Sequence, residues 1–267
     1  MIGLPDNNQS LLYGRQYTMI QDLHSHTYYS FCGIDKPEAI VEAAIAGGIE
    51  LFGITDHVYG VGHGRGDVFG AASDGVSFSD YGRMLVRYYD HINLLRYKYG
   101  DKIKILSGIE INTKKSMPQA LLPKGADISF FDYCLIEHLD HDDSVTEGDV
   151  FSFAKRCGCK ATGIAHTDLF SHIARIGADP SDYFKRMADM NIFWEMNVSY
   201  DSIHCYHEHE YVKRFLADEA EQDIVRKSGV RLSVGFDGHH VEEYRPDRVV
   251  DCCLALKNLG IPLVFDE

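Results

Sequence analysis

The sequence predicts an α/β fold, a distorted (β/α)7 TIM-like barrel of parallel strands with its active site at the C-terminal strand ends. Three observations predict it. Seven short apolar or β-branched runs alternate with helical stretches, the mark of parallel βα units. Runs such as ATGIA and LFGIT do not alternate cleanly between apolar and polar, as expected of strands covered on both faces. A group fit to bind metal follows, or nearly follows, six of the seven runs, and in a barrel such ends converge at one mouth. A doubly wound open sheet is the alternative, but it would gather ligands at one switch point and not at nearly every strand end.

The elements follow in order. TMIQDL (18–23) is the first strand. The helix after it has Asp35 as a candidate cap, Pro37 in the first turn and Gly47-Gly48 at its end. LFGIT (51–55) is the second strand, and a glycine-rich stretch (59–75) leads to a long helix over 79–100. IKILSGI (103–109) and FDYCLI (131–136) are the third and fourth strands, separated by a loop of little periodicity. A short helix over 149–158, ATGIA (161–165), a helix over 181–190 and IFWEMNV (192–198) come next. A helix over 209–229 ending at Gly229, RLSVGF (231–236) and a helix over 245–260 complete the repeat. PLVF (262–265) is either a short last strand or a tail.

A chain of 267 residues suits one barrel of ~250 residues, so residues 1–267 are expected to form a single domain. The formal charge of −14 argues against broad attraction to nucleic acid. No apolar run approaches the ~20 residues that cross a bilayer, and no signal-like segment opens the chain, so a cytoplasmic location is expected. The seven cysteines are expected to be reduced; Cys157/Cys159 and Cys252/Cys253 lack CxxC spacing and read as structural. Oligomeric state is left open.

His24-x-His26 is the anchor of the chemistry. In an extended segment residues two apart face one side, so two imidazoles can grip one ion; Asp237-x-His239 repeats the spacing. Imidazole suits zinc, iron and manganese-like ions, while carboxylates can bridge two metals. His57, Glu110, His138 and His166 supply the remaining strand ends.

The ordered series D22-L-H-S-H, I54-T-D-H57, G108-I-E110, E137-H138, A165-H166 and G235-F-D-G-H239 resembles the PHP family, named for polymerase and histidinol phosphatase. The size class and the stretch ending in K-I-L-S-G-I-E resemble its stand-alone histidinol-phosphate phosphatases. The resemblance implies a (β/α)7 barrel with up to three divalent ions (zinc, iron or manganese, zinc favoured) that hydrolyses phosphate esters. It implies that His24, His26, Glu110 and Asp237 hold one ion, and that Glu110 bridges to a second held by His138 and His166. His57 and His239 would hold the third. Where that branch usually has a further histidine this chain has Cys32, whose thiolate is a good zinc ligand.

The expected reaction is hydrolysis of a small phosphate monoester, L-histidinol phosphate first among them, by direct attack of a metal-bridging hydroxide. Asp237, His239 and Arg175 are the catalytic candidates. Arg175 and Arg65 could meet the phosphate as guanidinium groups, with Asn197 and His207 lining the substrate pocket. The rivals are a different phosphoester such as a nucleotide, a non-catalytic metal-binding regulatory module, and a C–N hydrolase of the amidohydrolase type.

Overall fold

The computed structural model describes residues 19–63, 78–199 and 209–266. The elements follow the expected alternation: β1 (Gln21–Asp22), α1 (Pro37–Ala46), β2 (Leu51–Ile54), α2 (Val58–His63), α3 (Phe78–Tyr99), β3 (Lys104–Ser107), β4 (Glu110–Ile111), β5 (Tyr133–Ile136), α4 (Val150–Cys157), β6 (Ala161–Ile164), α5 (Leu169–Arg175), α6 (Pro180–Asp189), β7 (Ile192–Asn197), α7 (Glu210–Ala217), α8 (Glu219–Ser228), β8 (Leu232–Gly235) and α9 (Pro246–Asn258). The strands pair in parallel in two sheets, ordered β1-β2-β3 and β4-β5-β6-β7-β8. Main-chain bonds cross both seams. Gly108 N donates to Ile54 O at 2.8 Å and Glu110 N to Asp56 O at 3.1 Å, while Leu23 N reaches Val234 O at 2.9 Å and Asp237 N reaches His24 O at 2.8 Å.

The two faces of the strands enter different cores. On β5, Cys134 and Ile136 join the large apolar cluster packed with the helices, whereas Tyr133 and Leu135 join a smaller one with Leu23, Leu51, Leu106, Ala161, Ala165 and Phe193. This is the period-two alternation of a strand with both faces buried. On β7 the outer set is Ile192, Trp194 and Met196 and the inner set begins with Phe193, so Glu195 and Asn197 continue the inner row. The inner face is thus apolar toward the strand starts and polar toward the strand ends.

Five elements depart from the expectation, the first being α5, a short helix where the sequence predicts none. The run 103–109 is interrupted at Gly108, where a Cβ would meet the Tyr133 ring and Thr55; regular pairing with β2 ends at Ser107 and with β5 begins at Glu110, while Glu110 keeps a parallel bridge to His57. The glycine-rich stretch opens as α2, which backs onto the loop after β1 so closely that a Cβ on Gly60 would lie 2.9 Å from Tyr29 O. The helix expected over 209–229 is two, because the Asp218 carboxylate accepts from Ala220 N and Glu221 N and starts α8 afresh. Asp35 does not cap α1; its carboxylate accepts from Val241 N, and Lys36 precedes the helix without a side-chain cap. PLVF contributes an isolated parallel bridge, Leu232 to Leu263, and no strand. Cys252 and Cys253 are buried on α9. Among the described residues no helix is long and apolar enough to cross a membrane.

Candidate metal centre

Glu110, buried at the start of β4, is the hub of the strand-end cluster. Its Oε1 lies 3.3 Å from His24 Nε2 and 3.3 Å from His166 Nε2. Its Oε2 lies 3.3 Å from His26 Nε2 and 3.0 Å from His57 Nδ1. Asp237 closes the opposite side, with Oδ1 3.4 Å from His24 Nε2, 3.2 Å from His26 Nε2 and 3.8 Å from His239 Nδ1. Segments more than two hundred positions apart therefore meet in one buried pocket.

The backbone is bent to do this. His138, His166 and Asp237 have φ of 59°, 26° and 58°. Such conformations cost of order 1–3 kcal/mol each in a non-glycine residue and persist where the surroundings over-determine them.

The charges explain each other. Burial disfavours the His24 cation, but Glu195, Asp237 and Glu110 outweigh it and hold the imidazole well above its ordinary range. His57 is raised in the same sense, against burial, with Glu110 and Glu137 among the causes. His166, despite burial, is raised to about 9, chiefly by Glu110. Burial pushes Glu110 and Asp237 up, yet the histidines around them hold both carboxyls well below the usual range. The cluster needs positive charge within it, and protons or cations can supply that.

The donors fit divalent ions. His24 Nε2 and His26 Nε2 sit 3.1 Å apart. His57 Nδ1 and Glu110 Oε2 are buried atoms 3.0 Å apart, and neither has a directed hydrogen bond. Among the described residues, four donor groups have one ligand atom from each member within 4.8 Å of the others: His24/His26/Asp237, His26/His57/Glu110, Glu110/Glu137/His166 and His26/Cys32/His239. Nitrogen and carboxylate oxygen with one thiol suit zinc and its transition-metal neighbours.

The candidates from the sequence are distributed as follows. His24, His26, Cys32, His57, Glu110, His166, Asp237 and His239 all enter these groups. His138 does not. Its half-buried ring stands at the rim, with Nε2 3.0 Å from Glu137 Oε2, and Glu137 takes the inner place. Asn197 was expected against substrate, but it is fully buried; its amide donates to Glu195 Oε2 at 3.3 Å and its carbonyl oxygen accepts from Ser199 N at 3.1 Å. Arg175, the last residue of α5, bonds Asp142 at 3.1 Å and His172 at 3.2 Å, neither of them in the cluster. Arg65 and His207 lie outside the described residues.

Two carboxylates near the centre, Glu137 and Glu195, have no role in the sequence reading. Glu137 carries on the inward parity of Tyr133 and Leu135. Glu195 accepts from His24 and from the His166 backbone. His209, at the opening of the helix expected over 209–229, stacks on His166 with ring centroids 6.0 Å apart, and burial pulls its pKa down to about 4.

Fold and site together define a parallel α/β protein with a histidine–carboxylate centre at its strand ends. The PHP domain model matches residues 22–239, and the chain belongs to the PHP family. Membership and the donor groups together support a metal-dependent phosphoesterase. A histidinol phosphate phosphatase (HisK) of Lactococcus lactis subsp. lactis, solved with zinc, L-histidinol and phosphate, shares the fold. It aligns with a TM-score of 0.57 at 17% identity over 91% of this chain and 95% of that chain. A protein described as a candidate histidinol phosphatase, HisK of Listeria monocytogenes, aligns with a TM-score of 0.39 at 18% identity over 91% of this chain and 93% of that one. No curated protein sequence is significantly similar to the chain.

Proposed function

We infer that this protein is a metal-dependent phosphoesterase acting on a small phosphate monoester, with L-histidinol phosphate, giving L-histidinol and phosphate, as the first substrate to test. The carrying observation is Glu110 ringed by four imidazoles at 3.0–3.3 Å, a donor arrangement made for a shared cation. The substrate comes from the PHP family and from the L-histidinol and phosphate held by the Lactococcus enzyme. The main-chain bonds across both strand seams support closure of the two sheets into one distorted seven-stranded barrel, with β3 and β4 counted as a single broken strand.

His24, His26, Glu110 and Asp237 would hold one ion, Glu110, Glu137 and His166 a second, with His138 at its edge, and His57, His239 and Cys32 would hold a third. Bound ions, zinc favoured, would supply positive charge to phosphoryl oxygens and make water a nucleophile near neutral pH. The residues do the rest. Asp237 is kept ionised by His24, His239 and His26, so a carboxylate oxygen would take the proton that the attacking water gives up and pass it to the leaving alkoxide. His239, with Nδ1 3.8 Å from that carboxylate, would add positive charge beside it. Arg175 would meet phosphate on exchanging Asp142 for the substrate.

Metal analysis of the purified protein followed by a phosphate-release screen tests this reading. Bound zinc, iron or manganese with release from histidinol phosphate well above that from a generic aryl phosphate is the expected result. Equal turnover of the two overturns the named substrate, and a protein that binds no divalent ion overturns the whole reading.

A further inference from the structure

Glu195 lies on the inner face of β7, buried to 1% exposure, directly behind the donor groups and in none of them. Its Oε1 is 2.7 Å from His24 Nδ1. Its Oε2 accepts from His166 N at 2.7 Å and from the Asn197 amide at 3.3 Å. The neighbouring strand is cut away to admit it, since a Cβ on Gly235 would lie 2.1 Å from Glu195 Oε1 and 2.6 Å from His24 Cβ.

We propose that Glu195 is the positioning residue of the centre, fixing the tautomer of His24 and the backbone of His166 with one carboxylate. This rests on the metal-centre reading above. A carboxylate only accepts, so the proton on His24 must sit on Nδ1. The Nε2 lone pair is then presented to Glu110, Asp237 and His26, where an ion would lie. The second oxygen holds the main-chain N–H of His166, whose φ of 26° needs such an anchor, and His166 brings Nε2 to the far side of Glu110. Ligands on two separate strand ends thus depend on one buried group. Asn197 steadies that group from below.

Glu195→Gln is the decisive substitution because it keeps shape while removing one acceptor. An amide can satisfy His166 N or His24 Nδ1–H, but it meets the other with an N–H. If it turns its oxygen to His166, its NH2 faces His24 Nδ1 and drives the proton to Nε2, which removes the ligand lone pair. The full chain is stripped of metal and titrated with Zn2+ against a chromophoric chelator, with melting of the metal-free forms recorded alongside. Glu195→Gln is expected to bind Zn2+ about 10–100-fold more weakly than wild type, while its metal-free form melts as a folded protein. Phosphate release by the variant should return on adding excess Zn2+, whereas a defect of the fold would not be rescued. Nitrogen-15 imidazole spectra of zinc-loaded wild type give a second reading that needs no variant: His24 should carry its proton on Nδ1. Unchanged zinc affinity in Glu195→Gln, or a wild-type His24 protonated on Nε2, overturns the proposal while leaving the metal centre standing. A wild type that binds no Zn2+ overturns both.

Discussion

The two sides of the centre are built differently. His24 and His26 are fully buried; Glu195 backs the His24 ring, and the Asp22 carboxylate, itself pushed up to about 6 by burial, accepts from the His24 and Phe236 main chains. On the other side Cys32 and His138 are only partly buried, and both lie in loops beyond the strand ends. The inner side is fixed by buried carboxylates behind the ligands, and the outer side is held by what the loops bring. The inner side should set whether metal binds at all, and the outer side how many ions bind and of what kind.

His24→Ala tests the inner half of that contrast and should have the largest effect. Loss of an inner ligand should weaken zinc binding by more than the ~10–100-fold that loss of an outer-shell partner costs, and phosphate release should fall to background. His138→Ala, on the rim, should cost less than about tenfold on the same scale. Equal losses in chelator competition would erase the distinction between the two sides.

Removing the metal is the next largest effect. Zinc at about 100 times its Kd stabilises the native state by ~2.7 kcal/mol, or roughly 5–10 °C in melting temperature at ~2–4 °C per kcal/mol. A differential scan with and without chelator reads this directly. A melting temperature indifferent to chelator would mean that the cluster is an ordinary buried ion network.

The titration of the cluster separates the metal-free from the loaded protein. His166 is raised from 6.5 to about 9, so what its proton contributes to metal-free stability is complete below about pH 6.5 and is lost as the pH rises through about 9. Glu110 and Asp237 are lowered, so their contribution holds above the ordinary carboxylate range and disappears on acidification. Between about pH 6 and pH 9 the metal-free protein should therefore lose stability while zinc affinity rises, because zinc displaces those protons. Melting temperatures measured with and without zinc at both pH values should diverge, and parallel curves would contradict the charge pattern.

The same contrast explains what could be read in the sequence. His24-x-His26, His57, Glu110, His166 and Asp237-x-His239 stand at the ends of apolar runs, where few polar side chains are expected, and that placement was visible. Glu137 and His138 are adjacent: Glu137 follows the inward parity of Tyr133 and Leu135, while His138, with φ of 59°, leaves the strand alternation at the rim. Glu195 and Asn197 had a signal too, as two polar residues spaced by two in an otherwise apolar strand. The tight packing at Gly108 has none, because it is made by the Tyr133 and Thr55 side chains of other strands. The charge of Arg175 suits phosphate, and its local pair with Asp142 leaves no mark in the sequence spacing.

The outer side is sharpened by its one soft donor. Cys32 Sγ lies within 4.8 Å of the ring nitrogens of His26 and His239, and burial raises the thiol while His57 works against that rise. A thiol in that place gives up its proton once a cation is bound, because zinc and related ions take the thiolate. Cys32→Ser keeps the size and replaces a soft donor with a hydroxyl that remains protonated. The variant should lose one ion per chain in metal analysis and keep those held by Glu110 and Asp237. Cobalt-loaded wild type should show a sulfur-to-metal charge-transfer absorption that the variant lacks. This is the smallest of the effects on turnover, since the donors around Glu110 remain. A variant with the same metal content and the same cobalt spectrum would take Cys32 out of the coordination sphere and leave the outer side with nitrogen and oxygen donors alone.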